Sequence, residues 1–197
     1  MARKLLAAGH EVMFGGGVTA QEAAASLKVS ADSNHGAVAF AEVVILAVPF
    51  PAIRAALRQA GPLEDVVLWS CVNAIRPDLS GLMIGFDTSA AEQVARHADR
   101  ARVVAAIPPF AEALANGDLY YDSGLSPSVF VCGDDNSAKA TVERLVSDLG
   151  AQPVDAGPLS AARFVEPAMM LLVNLAYGGL PRDLGLRLLE RRTPLPH

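Results

Sequence analysis

The chain has 197 residues, 52% of them hydrophobic and 19% charged. That composition excludes a disordered protein and supplies enough apolar material for one substantial core. A net charge of −5, without a basic cluster, excludes the electrostatic footprint of a nucleic-acid binder. Cys71 and Cys132 lie far apart and form no C-x-x-C pair, so neither a disulfide framework nor a zinc site is expected, and a reducing cytoplasm suits the chain. Met1-Ala2-Arg3-Lys4 leads into no long apolar segment, so no secretory signal is expected. The greasiest run, Ala168 to Tyr177, interrupted by Asn174, falls short of the roughly 18 to 20 residues that span a bilayer. No membrane partner is expected.

Taken in order, Arg3 to Ala8 reads as the last turns of a helix, with Gly9 as the left-handed residue that ends it. A short strand, Val12-Met13-Phe14, breaks at Gly15-Gly16-Gly17. Thr19-Ala20-Gln21-Glu22 has the form of a capping box, with Thr19 as N-cap and a helix to about Lys28. Val29 is a candidate brief strand, and a short helix from about His35 to Ala41 follows.

The segment Val43-Val44-Ile45-Leu46-Ala47-Val48 is apolar without alternation, the pattern of a strand buried on both faces of a parallel sheet. It stops at Pro49, which cannot donate to a ladder but can open a helix. Ile53, Ala56 and Leu57 then recur at helical spacing. A strand feeding a crossover helix puts ligands outside its carboxyl end, so Val48, Pro49 and Phe50 mark the expected working edge.

Val66 to Ser70 reads as a second buried strand and Cys71 to Phe86 as loop. Ser89-Ala90-Ala91-Glu92 is a second capping box, opening a helix to about Ala98. Arg102 to Ala106 is a third strand, stopped by Pro108-Pro109. Phe110 to Asn116 suggests one or two helical turns, and Asp118 to Pro127 an exposed loop. Val129 to Cys132 is a strand, Asn136 to Leu149 a helix, and Gln152 to Asp155 a last strand. A long apolar helix runs from Ser160 to Tyr177, with Pro167 expected to kink it. Pro181 to Arg192 could form an amphipathic helix through Leu184, Leu188 and Leu189. The alternation of strand and helix gives an α/β fold with a doubly wound, mostly parallel sheet.

Helix, glycine, short strand and glycine-rich turn is the order that follows the dinucleotide fingerprint of a Rossmann unit. Three segments carry a narrower resemblance: Ala8 to Phe14, Glu42 to Pro49, and Val154-Asp155-Ala156-Gly157-Pro158-Leu159-Ser160-Ala161-Ala162-Arg163. Together they resemble the coenzyme F420-dependent NADP reductase family from Arg3 to about Gly179. The resemblance implies a Rossmann-type sheet over residues 1–157, a helical C-terminal extension over 158–197, and binding of NADP. It also implies direct hydride transfer to or from the deazaflavin coenzyme F420, and frequent dimerisation. The helix 160–177, with Val165, Met169, Leu172, Val173 and Ala176 on one apolar face and Met170, Leu171 and Leu175 extending it, is the expected homodimer interface. Such chemistry demands orientation and exclusion of water rather than an acid or base, so no catalytic side chain need exist.

The sequence departs from the family in three places. No strand with G-x-G-x-x-G stands before Met1, so the sheet is expected to lack its usual first strand and glycine loop, as in an N-terminally shortened form. Gly15-Gly16-Gly17 replaces the family's Ser/Thr and Arg for the 2′-phosphate, and offers no acid for a ribose hydroxyl. Ala106-Ile107-Pro108-Pro109-Phe110 stands where the family has Asn-Thr.

The cofactor-binding candidates are therefore Gly15, Gly16, Gly17, Val48, Pro49, Phe50, Asn73, Ala106 and Pro108, with no metal site. The glycines are read either as a phosphate cradle or as a plain turn. Asn73 either orients a carboxamide or caps its loop. Two other functions remain open: a degenerate Rossmann-like protein with a structural or interaction role, and an NADP-linked reductase of an imine, flavin or ferric chelate.

Overall fold

A computed structural model describes residues 1–110, 113–114, 119, 121, 124–181 and 183–190. Helix α1 (Ala2–Ala7) ends at Gly9, whose φ of +94° lets the Gly9 and His10 amides turn back to the Leu6 and Leu5 carbonyls. Strand β1 (Met13–Gly15), helix α2 (Val18–Leu27), strand β2 (Ser30–Asp32) and helix α3 (Asn34–Phe40) follow. β1 and β2 pair in parallel, Met13 opposite Ser30.

The capping box expected at Thr19 does not form. α2 already begins at Val18, with Gly17 at the cap position and no side-chain cap. The Ala20 and Gln21 amides both reach the Gly17 carbonyl, so the chain is helical before Thr19 can cap it. The strand expected at Val29 lies just beyond it, because the Val29 amide still closes α2 on Ala24.

The second sheet is built from β3 (Val43–Leu46), β4 (Val67–Ser70), β5 (Arg102–Ala106), β6 (Ser128–Gly133) and β7 (Gln152–Gly157), in that spatial order. All neighbours are parallel except β5 and β6. Between them run a 3₁₀ turn (Phe50–Ala52) leading into α4 (Ile53–Ala60), then α5 (Ala90–His97), α6 (Asn136–Asp148) and α7 (Ala162–Tyr177). This is the doubly wound, mostly parallel α/β architecture that the sequence suggests.

β4 is buried at every position, whereas β3 is an outer strand of its sheet and mostly half-buried. An unalternating apolar run thus marked both strands but did not distinguish centre from edge. No ladder joins β1 to β3 among the described residues. Instead α3 spans the two units, packing on β1 and β2 and on α4.

Each face of the larger sheet has its own core. On one side Leu68 and Val103 pack with Ile53 and Leu57 of α4, Val94 of α5 and Leu159. On the other, Trp69 and Val104 pack with Leu5 of α1 and with Val142 and Val146 of α6. The Trp69 indole N–H is satisfied by the Ala106 carbonyl at 2.7 Å, as a fully buried indole requires.

α5 carries the second capping box as read: Ser89 Oγ accepts the Glu92 amide, and its hydroxyl donates to Glu92 Oε2. Two side chains of α7 lock onto this helix start. Arg163 grips Glu92 through Nε and Nη2, at 2.6 to 3.1 Å. Glu166, 2% exposed, accepts the Ala90 and Ala91 amides at 2.8 and 3.0 Å. A carboxylate there satisfies two orphan donors and faces the positive end of the helix.

With its leading 3₁₀ turn, the apolar helix is a 19-residue run, Leu159–Tyr177, long and apolar enough by composition to cross a membrane. This exceeds the ten-residue stretch read from the sequence. Its inner side is nonetheless committed to the fold, with Ala162, Glu166, Met170, Val173 and Ala176 buried. Pro167 sits inside α7 without ending it.

The helix expected over 181–192 is not found in the described part, 181 and 183–190, which is irregular. Its residues bond to Ser126 and Ser128 instead of to one another. Most of the turns expected at 110–116 lie outside the described residues, although 113 and 114 are helical. The loop expected to be exposed at 118–127 keeps Leu119 buried.

Burial pushes the Glu166 carboxyl up to about 7, against the pull of the two amides. The folded state therefore binds a proton that the unfolded chain, with an ordinary carboxyl, releases at lower pH. This group's stability contribution is full below the ordinary carboxyl range and is lost as pH rises through about 7. The Tm of the wild type relative to Glu166→Gln should fall over that window and level off above it. Glu166→Ala, which strands both amides, should cost at least about 2 kcal/mol in chemical denaturation.

Candidate active site

The carboxyl ends of β3, β4 and β5 share one rim, and the antiparallel β6 starts on it. That rim carries Val48-Pro49-Phe50, Cys71 to Asn73, Ala106 to Phe110, and Ser128. A mostly apolar cavity of about 260 Å³ opens there. Cys71 and Asn73 line it from the loop after β4, Ile107 and Phe110 from the loop after β5, and Met169 and Leu172 from α7. Leu184, Gly185 and Leu186 complete the wall from the C-terminal segment.

Asn73 is the polar side chain with a defined task here. Its Nδ2 donates to the backbone carbonyl of Glu166 at 3.1 Å. Because a carbonyl can only accept, this bond fixes which way the amide faces. Oδ1 is left buried without a partner, an acceptor that a ligand N–H or O–H would satisfy. Burial raises the Cys71 thiol strongly and pushes Cys132 up to about 12, so both stay protonated thiols rather than nucleophiles.

The candidate residues separate into four places. Asn73 and Pro108 line the cavity. Ala106 lies 1% exposed, its carbonyl committed to Trp69. Val48 and Phe50 pack against the core while Pro49 is exposed, forming the adjoining β3 edge.

Gly15, Gly16 and Gly17 lie at the end of β1, on the smaller sheet. A Cβ on Gly15 would come within 2.9 Å of the Ala37 Cβ, so this glycine is needed for the approach of α3. Gly16 has φ +140° and donates its amide to the Asp32 carbonyl at 2.9 Å. A Cβ on Gly17 would meet nothing, and the α2 start behind it has no side-chain cap. The turn thus offers backbone donors to an anion, the arrangement used for phosphates at helix starts. Asn34 Oδ1 lies beside that turn, 3.3 Å from a Gly15 Cβ position and 3.7 Å from a Gly16 one.

Residues 1–74 match the family described as NADP oxidoreductase, coenzyme F420-dependent. A solved protein of Arthrobacter sp. FB24, provisionally titled an F420-dependent NADP reductase, is 24% identical. The alignment covers 95% of this chain and 92% of that one, with a TM-score of 0.82. A hypothetical protein from Sinorhizobium meliloti is 26% identical, over 82% and 80% of the two chains, with a TM-score of 0.70. An imine reductase from Pseudomonas sp. is 14% identical, with a TM-score of 0.65, over 90% of this chain and 58% of its own.

Sequence reading missed Glu166 and the wall formed by Leu184 to Leu186. For Glu166 a signal existed: an acid inside an otherwise apolar helix, three residues after Arg163, must be paired or buried at a cost. The wall left no local signal, since its leucines fit a helical spacing equally well.

The geometry separates packing from ligand binding within the glycine turn. Gly15→Ala should lower stability by about 1 to 3 kcal/mol through overpacking against α3, as measured by urea titration. Gly17→Ala should move the midpoint far less, yet weaken dinucleotide binding if its backbone faces a phosphate, as calorimetry would show.

Proposed function

We propose that this protein is an NADP-dependent oxidoreductase that moves a hydride between the nicotinamide and a ring-shaped acceptor, with coenzyme F420 the leading acceptor. The observation that carries the reading is the apolar cavity at the β4 and β5 ends, in which Asn73 is held with a free acceptor oxygen. The family match over residues 1–74 supports it.

The residues present fit the nicotinamide end of such a cofactor. The Val48-Pro49-Phe50 edge gives it an apolar bed beside the cavity, and Asn73 Oδ1 suits the N–H of a carboxamide. At the adenosine end, Gly17 and the start of α2 would hold phosphate through backbone donors, the Gly16 amide being taken by the Asp32 carbonyl. NADPH held there would supply a hydride to the acceptor. The chain's own part is to orient two rings and keep water away. No side chain has to exchange a proton at that step.

Reduction of a cyclic imine is the second reading, favoured by the fold shared with an imine reductase and with a pyrroline-5-carboxylate reductase from Streptococcus pyogenes. NADPH oxidation assayed with a deazaflavin, FMN and a cyclic imine should be fastest with the deazaflavin. Asn73→Ala should weaken NADPH binding roughly tenfold, the loss expected for one buried hydrogen bond. No oxidation with any acceptor, together with no NADPH binding, would favour the degenerate, non-enzymatic alternative.

A homodimer through α7 belongs to the same proposal. The face expected at the interface, Val165, Met169, Leu172, Val173 and Ala176, is instead turned inward, toward the core and the cavity. What remains outside is Phe164, 69% exposed, with Leu171, Leu175 and Tyr177. A two-fold pair of these faces would cover them. Sedimentation should show a dimer at micromolar concentration and a monomer for Leu171→Asp. Two free cysteines and no disulfide among the described residues are consistent with a cytoplasmic location.

A further inference from the structure

We propose that Leu184–Leu186 form a removable wall of the acceptor cavity, one that confines it to a small ring when seated and admits a three-ring acceptor when lifted. The inference rests on the hydride transfer proposed above and takes the cavity beside the nicotinamide as the acceptor's place.

The segment is pinned at few points. The Leu186 carbonyl accepts the Ser128 amide at 2.6 Å, and Ser128 Oγ accepts the Leu188 amide at 3.1 Å. Arg187 Nη1 donates to the Ser126 carbonyl at 2.8 Å. The segment has no regular structure of its own, and Leu189 is 73% exposed. A stretch held by a few local bonds and little apolar burial belongs to the part of a protein that opens most readily.

The seat is also imperfectly satisfied. Among the described residues, the buried side-chain polar atoms with no partner are Asn73 Oδ1, Tyr121 Oη and Arg187 Nε. All three lie around this wall. Asn73 faces it across the cavity, Arg187 belongs to the segment, and the Tyr121 hydroxyl lies 3.1 Å from a Gly185 Cβ position. Lifting the wall would hydrate Tyr121 and Arg187, which lowers the cost of the open state when an acceptor arrives.

Size points the same way. At about 260 Å³ the seated cavity is below the usual range of ligand pockets. A single ring fits that volume far better than three fused rings with their substituents. Gly185 sets the seat, because any Cβ there would stand 2.8 Å from the Pro127 Cβ. Gly185 is exposed, and the residues a Cβ there would meet, Pro127 and Tyr121, belong to neither core cluster, so a larger residue should unseat the wall without unfolding the protein.

The test compares wild type with Gly185→Val by hydrogen exchange and by binding. The two probes are 5-deazariboflavin and 1-pyrroline, and binding is read by emission of Trp69, the only tryptophan, and by calorimetry. In the variant the Leu188 amide should exchange roughly tenfold faster. The affinity ratio should shift several-fold toward the three-ring probe, and kcat/KM with NADPH should follow. In the wild type, 5-deazariboflavin should speed exchange over residues 184–188. A shifted binding ratio with neither probe reduced would keep the wall and overturn the hydride assignment. Faster exchange with an unchanged ratio would overturn the wall as a determinant of acceptor size. Unchanged exchange would overturn Gly185 as its seat.

Discussion

A buried carboxylate holds the site together. Glu166 projects from a mostly apolar helix and takes up two amides that the start of α5 cannot satisfy within itself. With the Arg163–Glu92 pair one turn earlier, it fixes both the position and the rotation of α7 against the sheet. The same residue's backbone carbonyl holds the Asn73 amide. One position thus connects helix packing to the orientation of the group most suited to touch a ligand. A buried charge is a poor way to add stability, since desolvation offsets much of what its bonds return. Its value here is positional: without it, neither the cavity wall on α7 nor the direction of Asn73 Oδ1 would be defined.

The segment from Asp155 to Arg163 delivers α7 to this clasp. Asp155 pairs with Lys139 and accepts the Gly157 amide, and the pairing holds its carboxyl below the usual range. Gly157, at φ +96°, makes the turn, and Asp134 accepts the Leu159 amide. This stretch is thus a corner that aims a helix, and none of these residues lines the cavity. The rim it completes is apolar and shaped by backbone, as suits a transfer that needs alignment and dryness more than a proton donor.

What could be read in advance follows from how local each determinant is. Ser89 and Glu92 sit three residues apart and interact only with each other and the helix start, so the capping box was legible. The unbroken apolar runs of β3 and β4 revealed parallel strands, because burial on two faces leaves its mark in the residues themselves. Gly17 displaced Thr19 as the cap because the preceding glycine turn had already set the helical path. Leu184, Leu188 and Leu189 read as one helical face, yet the chain around them is irregular because Ser126 and Ser128, about sixty residues earlier in sequence, offer it backbone and hydroxyl partners. Asn73 could be placed at a strand end. The orientation of its amide depends on a helix far along the chain, and no spacing rule conveys that.

The central claim is that the rim of β3, β4 and β5 brings a nicotinamide and an acceptor ring into direct contact. Stereospecifically 4-deuterated NADPH, incubated with the protein and a deazaflavin acceptor in ordinary water, tests it most directly by NMR of the reduced acceptor. The account predicts deuterium at the acceptor's reduced carbon from one of the two C4 positions and none from the other. Acceptor reduced with hydrogen from solvent, or labelled equally from both positions, would contradict it.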